Sequence, residues 1–426
     1  MSEMSEALDR AIDAQAEAAF AFLEALVTAP SVVGAEQAAL EVFAGEAEAL
    51  GFQVERLPFE NGPVAHARAG VAPPVDRVSP SRYQALATTP GQGDIELLLN
   101  GHIDVVPAES PELWTSPPFS PQRRGGRLYG RGAGDMKSGF AVGALALHAL
   151  ADVAPNLFKG RRLGWLAVIE EECTGNGALC SITTHGVTAK EVLLLEPSGL
   201  GLLLGGVGVL WANVSVAARS GHARGGGAPA SAVDLGLRVI GRLRQWSLEL
   251  ASSDPEPTMG RGENPYNLNL GQVHGGDWNS TVPSSASFGI RMGFPRGWSA
   301  SRAEEELRRV VASFASLEGF PIPPRVTLTG FRAEGYLLDE NSDLARDLSA
   351  AHRAAHGVEP ERLTLGSTTD ARAYLNGFGI PAVCYGASAY NMHGVDESVD
   401  LQSIVDAART VSRFLLARFG SWEQLA

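Results

Sequence analysis

Cysteine is scarce in this chain. Only Cys173, Cys180 and Cys384 occur, an odd number without the Cys-x-x-Cys spacing of thiolate metal sites, which fits free, packed thiols in a reducing compartment. Long apolar runs are missing as well: no stretch of ~18 apolar residues is free of charge, so no segment reads as a membrane-spanning helix. The N-terminal stretch is acidic and helically periodic, without the basic start and unbroken apolar centre of a secretory signal, and this points to the cytoplasm. Positive charge is in deficit. The 34 Lys and Arg face 48 Asp and Glu for a net charge of −14, which argues against a nucleic acid or an anionic membrane and leaves small molecules as partners. No segment recurs at a fixed period, so solenoids are set aside.

What remains is a loop-rich α/β composition, with 45% hydrophobic residues, 49 Gly and 25 Pro. At 426 residues the chain exceeds the length at which one core keeps growing, and two domains are expected. Ala7 to Val27 has helical spacing; strand-like runs at 96–106, 162–171 and 190–196 alternate with Gly-rich turns and the helical pattern of 140–153. That alternation predicts a mostly parallel sheet. From 209 to 331 the order changes to β-α-β-β-α-β: strands at 209–218, 265–273, 285–294 and 324–331, helices at 230–246 and 300–315. This is the ferredoxin-like order. The helix at 342–356, the strand at 380–386 and the helix at 400–419 return to the first style. The expectation is a catalytic domain of residues 1–206 plus 332–426, interrupted by an inserted domain at 207–331.

Chemistry-bearing residues gather at strand ends. LLLNGHIDVVP places His102 and Asp104 two apart on an apolar strand, hence on one face. A carboxylate beside a ligating imidazole commonly accepts its other ring N–H, the role expected of Asp104; a pair satisfied by backbone groups is the alternative. Asp135 follows the flexible glycines of GRGAGDMKSG. Its two oxygens suit a bridge between cations about 3.5–4 Å apart, or the residue caps the next helix. Glu170, Glu171 and Glu172 end the run WLAVIEEE, where neighbours on a regular strand face opposite ways. A turn there lets one glutamate bind metal while another moves a proton; a solvated acidic turn is the bland reading. Glu196 closes EVLLLEPS and His393 lies in YNMHGVDES. Buried carboxylates need compensation, and two divalent metals supply it with this imidazole and carboxylate set. Two such ions balance Asp135, Glu172, Glu196 and one bridging hydroxide.

The ordered motifs GHIDVVP, GRGAGDMKSG, EEECTGNG, LLLEPS, SGHA, STTDAR and HGVDES resemble the dizinc amidohydrolase family of acetylornithine deacetylase, succinyl-diaminopimelate desuccinylase and the glutamate-releasing carboxypeptidases. The resemblance spans nearly the whole chain. It implies two zinc ions, with cobalt or manganese as substitutes: His102 and Glu196 on one, Glu172 and His393 on the other, Asp135 on both. It implies Glu171 as the general base that deprotonates a metal-bridging water and returns the proton to the departing amine. His222, in SGHARGG, matches a histidine that stabilises the oxyanion in the partner subunit's site, which implies a homodimer formed through the inserted domain. Arg291 and Arg372 match residues that grip a substrate carboxylate, with Asn279 as a companion. The chain departs from the family pattern at Gly289, where an acidic residue is usual, and at Arg224-Gly225-Gly226-Gly227 after the SGHA motif; both bear on the substrate pocket.

Carbamoyl-cleaving relatives generally carry His, and aminopeptidase-like ones Asp, at the position of Glu196. The expected reaction is therefore amide hydrolysis of an N-acyl amino acid, as in the acetylornithine deacetylase-like deacylases. A dipeptidase or carboxypeptidase is the second enzymatic reading, and a degenerate binding protein on the same fold the non-enzymatic one. Hinges are expected near residues 206 and 331 if the inserted domain acts as a lid.

Overall fold

The computed structural model describes residues 3–59, 66–71, 82–224, 230–256, 264–318 and 320–420. Its centre is a nine-stranded sheet in the order 53–58, 83–88, 163–168, 95–102, 189–194, 382–384, 202–206 and 336–337, with 362–365 also pairing to 202–206. The inner strands Leu163–Val168, Ile95–His102, Ala189–Leu194 and Ala382–Cys384 run parallel. The flanking strands 53–58, 83–88, 202–206 and 336–337 add antiparallel. The parallel sheet read from the sequence is thus its middle, and the outermost antiparallel strands are polar at 53–58 and only two residues long at 336–337.

Side chains of the inner strands are buried on both faces, as parallel strands require. Leu97, Leu99, Trp165, Ala167 and Leu193 enter one core with helices Glu3–Thr28, Gln37–Ala49, Lys137–Val153, Asp343–His356 and Leu401–Phe419. Leu98, Leu166, Val168, Val192 and Leu194 enter another with helices Asn176–Thr183 and Ala371–Phe378. The period-two alternation of each strand divides the residues between the two cores.

A separate core joins residues between Val207 and Val326. Its four-stranded sheet has the order 268–275, 285–294, 208–217, 325–333, with every pair antiparallel. Together with helices Ala232–Ser253 and Ala300–Leu317 this is the ferredoxin-like arrangement. Both helices start at serine caps: Ser231 forms a reciprocal capping box with Asp234, and Ser299 accepts from the Arg302 N–H. The chain passes into this body at Val207, whose N–H bonds the Leu365 carbonyl at 3.1 Å. Among the described residues no helix is long and apolar enough to cross a membrane.

Trp165 is fully buried and meets Phe43 edge-on at 4.8 Å between ring centroids. Trp165→Ala should lower unfolding stability by about 3–5 kcal/mol in urea titrations; a loss under about 1 kcal/mol would contradict this packing.

Candidate metal centre

Strand Ile95–His102 ends at His102, so Asp104 lies just beyond the strand on which the alternation argument placed it. The ring nevertheless meets it. His102 Nδ1 is 2.9 Å from the Asp104 carbonyl oxygen, against 3.8 Å from the carboxylate. A carbonyl only accepts, so in the neutral ring Nδ1 carries the hydrogen and Nε2 offers its lone pair to the site. The expected carboxylate role is therefore corrected: the Asp104 backbone sets the tautomer. Its carboxylate accepts the N–H groups of Glu171 and Glu172 at 3.2 and 3.1 Å.

Asp135 stands at the mouth of helix Lys137–Val153 without capping it, since the N-cap position is Met136 and has no side-chain cap. One carboxylate oxygen is 3.2 Å from His102 Nε2 and the other 3.3 Å from His393 Nε2. Its turn is pinned by Glu397, whose Oε1 accepts from the Gly134 and Asp135 N–H groups at 3.0 and 2.9 Å while Oε2 binds buried Arg131 at 2.6 Å. Lys137, fully buried, donates to the carbonyls of Leu26 and Ala29 and so ties the same turn to the end of the first helix.

Glu172 Oε2 approaches His393 Nε2 at 3.1 Å, and Glu196 Oε2 lies 3.9 Å from His102 Nε2. Two donor groups result: His102, Asp135 and Glu196, then Asp135, Glu172 and His393, each with ligand atoms within 4.8 Å of one another. Asp135 belongs to both. Glu171 belongs to neither, yet its Oε2 lies 3.9 Å from His102 Nε2. Among the described residues the ion-pair partners of Asp135, Glu171, Glu172 and Glu196 are histidines alone. A set of imidazole nitrogens and carboxylate oxygens without a lysine or arginine suits borderline divalent cations.

The electrostatics express the same demand. Burial pushes Glu196 up to about 8 against the pull of His102, and Asp135, Asp370 and Glu172 add to the rise. Burial likewise raises Glu171, reinforced by Asp370, Glu196 and Glu172. For the imidazoles burial works the other way and is outweighed: Glu196, Asp135, Glu171 and Asp104 lift His102, while Glu172 and Asp135 lift His393 to about 11. Asp135, although buried, is held well below the carboxylate range by hydrogen bonds from both rings. In the metal-free protein, protons stand where cations would.

Other expected site residues lie elsewhere. His222 and Asn279 are exposed on adjoining loops at the tip of the smaller sheet, where His222 bridges to Thr281. Neither makes a described hydrogen bond or ion pair to the cluster within the chain. His222 Nδ1 accepts the Arg224 N–H at 3.1 Å, which leaves the hydrogen of the neutral ring on Nε2. Gly225–Gly227 fall outside the described residues. Arg291 reaches from strand Ser285–Phe294 to the Gly366 carbonyl at 2.7 Å, and burial lowers its guanidinium to about 10. Arg372 is buried, donates to the carbonyls of Thr369 and Thr174 at 2.9 and 3.2 Å, and lies 5.1 Å from the Phe331 ring. Its guanidinium clamps these loops.

Sequence reasoning passed over Glu397 and Asp370 although both lie inside motifs it used. Asp370 is 1% exposed, and neither carboxylate oxygen has a hydrogen-bond partner among the described residues. Burial raises it to about 6. Nothing in an isolated acidic letter distinguishes such residues from solvated ones.

The profile of peptidase family M20/M25/M40 matches residues 98–417. The chain belongs to that family. Succinyl-diaminopimelate desuccinylase of Caulobacter sp. (strain K31) is 27% identical over 418 residues, covering 94% of this chain and 95% of its own. Among solved structures the fold is similar to the Saccharomyces cerevisiae dipeptidase Dug1p, with TM-score 0.81, 14% identity and coverage of 98% and 99%. Human carnosine dipeptidase 1 follows at TM-score 0.79, 15% identity and the same coverage. All three are named as enzymes, and this chain is an M20 hydrolase with metal-ligand groups in place.

Metal binding requires bare imidazole nitrogens and ionised carboxylates. With His102, His393 and Glu196 all raised, the metal-free protein holds protons there at neutral pH, so ligation releases them and affinity weakens as pH falls. Calorimetric titration with zinc at pH 7, in buffers of different ionisation enthalpy, should show more than one proton released per chain. Zero release would contradict the assignment.

Proposed function

We propose that this chain is a two-metal hydrolase that cleaves the amide bond of N-acyl amino acids to a carboxylate and a free amine. The observation that carries the reading is the Asp135 carboxylate, with one oxygen beside His102 and the other beside His393, while Glu171 stands alongside and outside both donor groups. In this reading His102 and Glu196 hold one zinc ion, Glu172 and His393 the other, and Asp135 is shared; cobalt or manganese suits the same donors. Bound there, the two cations would acidify a water and polarise the substrate carbonyl.

Glu171 takes the proton of the attacking water and delivers it to the departing nitrogen, so one carboxylate serves both halves of the reaction. Its raised pKa suits a group that must hold a proton between steps. Asp104 keeps His102 in the ligating tautomer through its carbonyl and holds the Glu171–Glu172 turn through its carboxylate. The body at 207–331 serves as lid and dimerisation domain of a cytoplasmic homodimer, and carries His222 to the oxyanion in the partner's site. The Nε2–H that His222 turns outward is the donor such a role requires. Arg291 and Arg372, with Asn279, receive the substrate carboxylate, the arginines by exchanging a backbone carbonyl for it. Relatives named for removing a succinyl group support deacylation.

A panel of N-acyl amino acids and dipeptides, assayed for amine release with and without chelator, separates the readings. Acyl substrates are expected to turn over faster, with activity lost on chelation; activity indifferent to chelation would exclude the mechanism, and dipeptide preference would move the assignment to a peptidase. Glu171→Ala should lower kcat by at least ~10³-fold with both metals retained, whereas loss of both metals would show that the wrong glutamate was assigned. His222→Ala should lower kcat by ~10²–10³-fold with little change in KM; unchanged kcat removes it from the oxyanion site.

A further inference from the structure

Three consecutive glutamates at the end of a strand pose a geometric problem. If strand Leu163–Val168 simply continued, Glu171 and Glu172 would point to opposite sides of the sheet. Both carboxylates nevertheless reach the cluster, Glu171 towards His102 and Glu172 towards His393. The reversal occurs at Glu170, which has φ 64°. A residue with a Cβ holds that left-handed conformation only where its surroundings impose it.

The surroundings are a buried charge network. Glu170 Oε1 accepts from Arg82 at 2.9 Å, and Oε2 accepts from the Thr174 hydroxyl at 2.6 Å. The Glu170 carbonyl accepts the N–H groups of Thr174 and Gly175 at 3.1 and 2.7 Å, closing the turn that contains Glu171 and Glu172. Arg82 is itself fixed, since its other terminal nitrogen donates to Glu36 Oε1 at 2.8 Å, and the same oxygen accepts the Gly34 N–H at 2.8 Å. The side chains of Arg82, Glu36 and Glu170 are each 2% exposed. Once the chain has reversed, successive N–H groups of Glu171 and Glu172 converge on the Asp104 carboxylate.

We propose that Arg82, Glu36 and Glu170 form a clamp whose function is to position Glu171 and Glu172, so that the first glutamate of the triplet is a positioning residue and the other two face the metals. The proposal rests on Glu171 being the base and Glu172 a ligand. A buried arginine between two carboxylates contributes little stability beyond what an apolar replacement would give. Its position is what it adds: it fixes a backbone reversal on which both reacting-side carboxylates depend. The solvated acidic turn that a run of glutamates ordinarily suggests is excluded by the burial of Glu170.

The test uses the full chain with Arg82→Lys, which keeps the charge but removes the fork, and Glu170→Gln, which keeps the buried shape, with Thr174→Val as a milder variant should either of those fail to fold. Zinc affinity is measured by competition with a chelating dye, and kcat at saturating zinc, on the substrate that the native chain hydrolyses fastest. Removing an outer-shell partner of a ligand commonly costs 10–100-fold. The weaker of the two zinc affinities should therefore fall by ~10–100-fold, and kcat by a comparable factor with KM nearly unchanged. In a Glu171→Ala background at saturating zinc, Arg82→Lys should lower the residual rate no further, because the loss of kcat is assigned to Glu171, while the weaker zinc affinity should still fall through Glu172. Folded variants in which either zinc affinity or kcat stays within about twofold of the native value, the scatter expected away from such contacts, would overturn the clamp. Full turnover by Glu171→Ala itself would instead overturn the reading of the base, so the two failures are distinguishable.

Discussion

Asp135 is approached by an imidazole at each of its oxygens, and the rest of the site is arranged around that sharing. Glu171, Glu172, Glu196 and Asp370 crowd the same buried space. Like charges a few ångströms apart in a low-dielectric interior cannot all ionise unless something positive lies between them. Protonated histidines meet the demand in the metal-free protein, whereas two divalent cations meet it while leaving every carboxylate charged. The acidity that would be a liability in an ordinary core is here the means by which metal is held.

The fold supplies this crowding from strand ends. His102, the Glu170–Glu172 turn and Glu196 follow three neighbouring parallel strands, whose interior side chains are divided between two apolar cores. Open α/β sheets place their sites at this carboxyl edge. Asp135 and His393 arrive on loops, and Glu397 couples those two loops by bonding the Asp135 turn from a position four residues beyond His393. The smaller body, with its own core, reaches the loops near the site through Arg291 to Gly366 and through Arg372 stacked on Phe331. Movement of that body would therefore be felt at the loop carrying Asp370.

The sequence was most legible where one pattern repeats. Strand 285–294 is recovered to the residue, and helices such as Ala300–Leu317 and Leu401–Phe419 to within two, because alternation and amphipathic spacing persist over many residues. Strands 53–58 and 336–337 escaped, being polar or only two residues long. At the site, His102, Asp135, Glu172 and Glu196 are ligand-type residues that end an apolar run or follow glycine, whereas His393 follows Asn391-Met392 and is read as a ligand only through the family resemblance. The division of labour within Asp104, the inversion at Glu170 and the engagement of Arg372 by carbonyls were not legible, since all three depend on backbone direction. A residue string shows which groups are available; it does not show which of their atoms face inward.

Everything proposed about reaction chemistry requires two cations sharing one aspartate. Anomalous difference maps, collected at the zinc absorption edge from crystals of the zinc-loaded chain, test this most directly. The account predicts two peaks about 3.5–4 Å apart, one on each side of the Asp135 carboxylate. A single peak, or none beside that residue, would contradict it.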